Sequence, residues 1–213
     1  MKRGLIIFAR EPLPGRVKSR LAVSIGDHAA AEWYEFMLQE VLETSRQLDG
    51  IETVIFWDCE EHSLRLLAER YGCRSRRQGS GDLGQRMLAA FSEMFEGGCE
   101  TCCIIGSDSP DLPPAYVRDA FAQLATEQVD ITLGPATDGG YYLLGMRQPW
   151  AQLFDAIDWS TSSVHDQSLA AARNSGLNVA LLPIWYDIDT VEDLQAFQER
   201  KNMTLTTNPA VAV

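Results

Sequence analysis

Arg10, Arg16, Lys18 and Arg20 stand within eleven positions of a chain whose formal net charge is -12 and whose Lys and Arg total 18. Such a concentration against the global sign reads as an anion site. Guanidinium forks suit phosphate oxygens, and a lysine supplies a point charge. The segment that carries them, Phe8-Ala9-Arg10-Glu11-Pro12-Leu13-Pro14-Gly15-Arg16-Val17-Lys18-Ser19-Arg20, opposes helix at Pro12, Pro14 and Gly15 and favours a tight exposed loop. It follows Leu5-Ile6-Ile7-Phe8, an apolar run that reads as a buried strand. The carboxyl end of a first strand is where open α/β sheets hold phosphorylated ligands. Neither a Walker A loop nor a Gly-x-Gly-x-x-Gly fingerprint is present, which argues against P-loop and Rossmann dehydrogenase chemistry.

Carboxylates form the second group. Ile104-Ile105-Gly106-Ser107-Asp108-Ser109-Pro110-Asp111 ends an apolar run in two acids. Hard divalent cations take carboxylate oxygens, and a Mg²⁺ shared with a diphosphate needs only one or two. Asp108 is assigned to the cation and Asp111 to capping the helix that Pro113-Pro114 opens. Asp138, in Thr137-Asp138-Gly139-Gly140-Tyr141, either faces a ligand or sits in an ordinary hairpin turn; the residues leave both open. In Tyr186-Asp187-Ile188-Asp189-Thr190, Asp187 and Asp189 share a face of an extended chain, and one of them would complete a metal site. Thr190 and Asp193 suit a helix cap. Gln78 to Arg86 is a further Gly-rich turn before a helix.

Taken together, Phe8-Ala9-Arg10, Pro14-Gly15-Arg16-Val17-Lys18, Arg20-Leu21, Gly81-Asp82-Leu83-Gly84, Gly106-Ser107-Asp108-Ser109-Pro110 and Asp138-Gly139-Gly140-Tyr141 resemble the bacterial DUF2064 family, known as transferase 1, radical-SAM/selenodomain-associated. The resemblance runs from residue 4 to about 198, with Ser19 where the family pattern has Thr. It implies a glycosyltransferase A-type fold, that of nucleotide-diphospho-sugar transferases, akin to nucleotidyltransferases of cofactor synthesis. It implies that Arg10, Arg16, Lys18, Arg20, Gln78, Asp82, Gly139 and Gly140 bind substrate. Lys18, Asp108 and Asp138 are the expected catalytic residues, with Asp138 as acceptor contact or base. Asp189-Thr190-Val191-Glu192-Asp193-Leu194 resembles the second metal segment of sugar-acid cytidylyltransferases, so Asp108 and Asp189 are the expected ligands of Mg²⁺ or Mn²⁺. The implied activity is transfer from a nucleotide-diphospho-sugar to a small-molecule acceptor. The alternatives are nucleotidyl transfer to a phosphorylated or carboxylated acceptor with pyrophosphate release, and a non-catalytic nucleotide-binding module.

The elements that must position these residues alternate between strand-like and helix-like runs. Strands are expected at 5–8, 53–57, 101–105, 130–134, 141–146 and 179–186. Helices are expected at 27–48 (capped by Asp27), 63–71, 84–95, 113–126, 163–175 and 191–200. This alternation predicts a mostly parallel sheet with helices on both faces, a three-layer α/β/α arrangement. The strand at 101–105 is expected at its centre because it lacks polar alternation. One nucleotide-binding domain over residues 1–200 and a mobile tail from 202 are expected. The acidic balance argues against nucleic-acid and membrane surfaces. No apolar run approaches the ~20 residues of a membrane span, and Met1-Lys2-Arg3 leads into too short an apolar run for a signal peptide, so a cytoplasmic location is expected. The five cysteines do not form a disulfide framework. Cys99, Cys102 and Cys103 lack the second half of a zinc site and read as small strand apolars.

Overall fold

Apolar runs become the sheet. The computed structural model describes residues 2–209. Its strands are β1 (Arg3–Arg10), β2 (Ile51–Asp58), β3 (Arg74–Arg77), β4 (Thr101–Ile105), β5 (Ile131–Pro135), β6 (Tyr141–Met146) and β7 (Val179–Leu181). They form one seven-stranded sheet in the order β3-β2-β1-β4-β6-β5-β7. All run parallel except β6, which pairs antiparallel with both β4 and β5. The fold is mixed α/β, with β4 at the centre of the sheet and buried along its whole length.

Helices α2 (Asp27–Arg46), α3 (Leu64–Tyr71) and α5 (Pro114–Leu124) cover one face, and α4 (Leu83–Glu96) and α6 (Val164–Asn174) the other. The period of two along a strand sorts the side chains. Leu5, Ile7 and Ala9 pack towards α2 and α5, whereas Ile6 packs towards Met87, Phe91 and Met94 of α4. A third, smaller core lies at one end. It joins Val17 and Leu21 of the basic segment and α1 (Ser19–Ile25) to Trp33 and Met37 of α2, Ile188, and Leu194 and Phe197 of α7 (Val191–Arg200). This core brings the start and the end of the folded chain together.

Four local expectations are corrected. Residues 19–25 form a helix of their own, ended by Gly26 at φ 84°. Gly26 rather than Asp27 caps α2, leaving Asp27 in its first turn, where a carboxylate suits the helix dipole. The polar Arg74–Arg77 pairs as the edge strand β3, which apolar patterning could not reveal. The last strand stops at Leu181 instead of Tyr186, because Pro183 has no N–H to give to a ladder. Beyond it the Leu182 amide still donates to the Leu133 carbonyl at 2.9 Å, and a bridge joins Ala136 and Trp185. Further along, Trp33 Nε1 donates to the Thr207 carbonyl at 2.9 Å and Gln198 Nε2 to the Thr206 carbonyl at 2.8 Å. Residues 210–213 lie outside the described residues.

Candidate functional site

The carboxyl ends of β1 and β4 and the amino end of the reversed β6 meet at one edge of the sheet, over a cleft of about 630 Å³. Lys18 sits in it with left-handed backbone, φ 48° and ψ 48°. A non-glycine residue holds that conformation only where its surroundings impose it, and such strain gathers at functional sites. Its side chain is 4 % exposed. The ammonium has three donors, and all three are committed: to Asp108 Oδ1 at 2.7 Å, Asp189 Oδ1 at 2.8 Å and the Ile188 carbonyl at 2.5 Å. The Ile188 amide in turn donates to the Asp108 carbonyl at 3.0 Å, which staples the segment after β7 to the end of β4. Arg20 Nη1 approaches Asp189 Oδ2 at 3.6 Å.

The electrostatics follow. Burial works to lower the Lys18 pKa, but Asp108 and Asp189 outweigh it and hold the ammonium above its ordinary range. Burial likewise works to raise Asp189, and Lys18, with Arg20, holds that carboxyl below the usual range. Asp187 is the opposite case. Burial pushes it up to about 6; the Ser109 hydroxyl, donating to Oδ1 at 2.6 Å, and Lys18 pull down, while Asp108 and Asp138 push further up.

Tyr34, on α2, ties the two strand ends together. Its hydroxyl accepts from the Arg10 amide at 2.8 Å and from Ser107 Oγ at 2.9 Å, and burial pushes its pKa up to about 12. In sequence Tyr34 shows only helical spacing, so nothing separates it from an ordinary core residue. The segment 158–163 on the cleft rim likewise shows no signal of its own in sequence before the helix expected from 163. Trp159 of this segment lies on Gly84 so closely that a Cβ there would meet the indole at 2.6 Å. Gly139, at φ +90°, lies against the backbone of Ser162, and its carbonyl accepts from the His165 amide at 2.9 Å. The glycines of the two sequence motifs were the only available signal for this rim.

The structure thus brings Lys18, Asp108 and Asp189 onto one nitrogen, with Arg10, Arg20, Asp138 and Gly140 on the same cleft. Gln78 also lines it, but its carboxamide is spent inside the protein: Nε2 donates to the Ala9 and Phe56 carbonyls at 3.2 and 2.9 Å, and Oε1 accepts from Arg86 at 2.9 Å. Three candidates stand outside the lining. Arg16 is exposed beyond it. Asp82 is the N-cap of α4, its carboxylate taking the Gln85 amide at 2.9 Å. Gly139 makes the loop contact just described. Asp111 does not cap α5, whose N-cap is Pro113; it accepts from the Tyr186 hydroxyl and faces Arg200.

Asp108 and Asp189 are hard oxygen ligands held around a position that already contains a positive charge, so their chemistry fits a divalent cation. No trio of His, Cys, Asp and Glu among the described residues is gathered to hold an ion unaided. A cation here would need ligand oxygens from elsewhere.

A sequence profile for DUF2064, described as an uncharacterised protein conserved in bacteria, matches residues 41–161. The chain belongs to the DUF2064 family. No curated protein matches it. Among solved structures it is similar to a protein of Desulfovibrio desulfuricans G20, described as a candidate nucleotide-diphospho-sugar transferase, with 31% identity and a TM-score of 0.89 over 99% of this chain and 93% of that one. At 13% identity and a TM-score of 0.62 it shares the fold of CMP:2-keto-3-deoxy-manno-octonic acid synthetase complexed with CTP, over 94% of this chain and 100% of that one. At 12% identity and a TM-score of 0.51 it shares the fold of Mycobacterium tuberculosis glucosyl-3-phosphoglycerate synthase bound to Mn²⁺, UDP and glucosyl-3-phosphoglycerate, over 94% of this chain and 79% of that one. No helix among the described residues is long and apolar enough to cross a membrane.

Proposed function

We propose that this DUF2064 member is a transferase that takes a nucleotide-diphospho-sugar as donor, with Mg²⁺ or Mn²⁺, and moves the sugar to a small acceptor. One observation carries the reading: a buried lysine held between two carboxylates from distant segments, beside Arg20, in a large cleft at the strand ends. Asp108 and Asp189 would hold the cation, and the diphosphate would complete its ligands. A cation held by Asp108 and Asp189 would supply positive charge to offset that of the leaving diphosphate. Arg10, Arg20 and Lys18 bind and orient the phosphates, Lys18 exchanging carboxylate partners for phosphate oxygens. The acceptor hydroxyl oxygen bonds to the sugar's anomeric carbon as that carbon's bond to the diphosphate oxygen breaks. The electron pair leaves with the nucleoside diphosphate, and the hydroxyl proton passes to Asp138, on the same cleft.

Calorimetric titration with a panel of nucleoside diphosphates tests this. Affinity is expected to rise with Mg²⁺ over chelator, and Asp108→Asn to weaken that coupling. Equal affinity in both conditions would remove the cation from the site. Free nucleoside diphosphate as product identifies sugar transfer, and pyrophosphate identifies nucleotidyl transfer by the same residues.

A further inference from the structure

Among the described residues, four carboxylates line the cleft, and two of them form ion pairs. Asp108 and Asp189 share Lys18. Asp138 and Asp187 form no ion pair among the described residues: Asp138 takes the Gly140 amide at 2.8 Å and Asp187 the Ser109 hydroxyl. Both line the same cleft. Among the described residues, the basic groups of the cleft come from β1, α4, and the start of α1 with its N-cap Lys18. The β6 side, the rim segment 158–163 and Asp187 contribute none. They contribute instead the side chains of Tyr141 and Trp159, and the hydroxyls of Ser160 and Ser162, which have no partner among the described residues.

We infer that this side of the cleft receives an uncharged, hydroxyl-rich acceptor, a sugar or polyol, and not a phosphorylated or carboxylated one. The inference rests on the transferase reading above and names its acceptor class. A phosphate or carboxylate placed here would face two carboxylates with no fork of donors to receive it. A polyol meets the opposite situation. Its O–H groups donate to carboxylate oxygens and accept from serine hydroxyls, and its C–H face packs on an aromatic ring. Asp138 then has two uses, choosing the acceptor and taking its proton.

Two matched series test this by saturation-transfer NMR on the protein with Mg²⁺ and the nucleoside diphosphate it binds: glucose, glucose 6-phosphate and glucuronate; and glycerol, glycerol 3-phosphate and glycerate. Neutral members are expected to bind at least about 10-fold more tightly than anionic ones, a difference of about 1.4 kcal/mol. Asp138→Asn should shrink that ratio, and Asp187→Asn should do so independently if the first variant is poorly folded. Tighter binding of the anionic members would overturn the inference, as would a lack of binding by both neutral compounds. If calorimetry finds no nucleotide binding at all, the donor reading falls and this inference with it. Intact nucleotide binding with an anionic preference overturns the acceptor class alone.

Discussion

Lys18 shows how much a single residue can be asked to do. It is buried, its backbone is strained and its three donors are all committed. Replacing it leaves Asp108 and Asp189 facing each other without their cation. A fully buried pair broken in this way costs about 3–5 kcal/mol, but these carboxylates are 40 % and 38 % exposed and water shares the load, so Lys18→Met should cost only about 1–2 kcal/mol. The functional changes run in opposite directions. Nucleoside diphosphate affinity should fall by roughly 10–150-fold, the value of a charge-assisted contact. Mn²⁺ without nucleotide should bind more tightly than to the wild type, because its competitor for the two carboxylates is gone; calorimetry with each ligand separately reads both. Asp187 gives a pH dependence. Its folded carboxyl, at about 6, lies above the unfolded value of about 3.9, so between these pH values the folded chain binds more protons than the unfolded one. The contribution of this group to stability therefore falls as pH rises through that window, and its full cost is present above it. Asp187→Asn should raise stability at pH 7.5 by up to about 2–3 kcal/mol and by much less at pH 4, measured by urea unfolding with chelator present.

Among the elements, the rim is the part that depends most on a single backbone contact. Gly139→Ala would place a methyl group against the Ser162 backbone at a φ that L residues avoid. The expected cost is about 2–4 kcal/mol, with a larger loss of turnover than of nucleotide affinity, since the basic residues sit on other elements. Thermal unfolding, with kcat compared against the nucleotide dissociation constant, would detect this split. The same elements show what the sequence could tell. β4 and α7 were readable to the residue because an unbroken apolar run and a Thr-Asp capping box are local signals. The basic loop was readable because its charge opposes that of the chain. Tyr34, Trp159 and the commitment of Gln78 were not, because each acquires its meaning from a partner far along the chain: Ser107, Gly84, and the carbonyls of Ala9 and Phe56. Asp111 was misplaced for the same reason, since its partners Tyr186 and Arg200 lie far downstream. Local pattern gave the helix start, and tertiary packing gave the carboxylate a different partner.

At the scale of the whole molecule, the third core binds distant segments into one support for Lys18. Met203 packs on it, and the Thr207 carbonyl satisfies Trp33. Removing residues 203–213 would leave that indole without its acceptor and uncover the core, at about 1–3 kcal/mol. For a chain of this size that is a fall in Tm of about 2–12 °C, readable by calorimetry, and it should be accompanied by weaker nucleotide binding.

Lys18 and Asp189 are separated by 171 positions, and their contact exists only once the segment carrying Ile188 and α7 has docked on Val17 and Leu21. Loops this long close late, after contacts that are nearer in sequence. Between β1, β2 and β4 the ladder needs nothing from beyond residue 105. Refolding should therefore pass through a stage with its central strands protected from hydrogen exchange and no capacity for ligand. In a stopped-flow experiment, a fluorescent nucleoside diphosphate should be captured only in the slowest phase, after pulse-labelled amides of β1 and β4 are already protected. The cluster that gives the cleft its charge is then also a clock, marking when the last piece of the protein arrives.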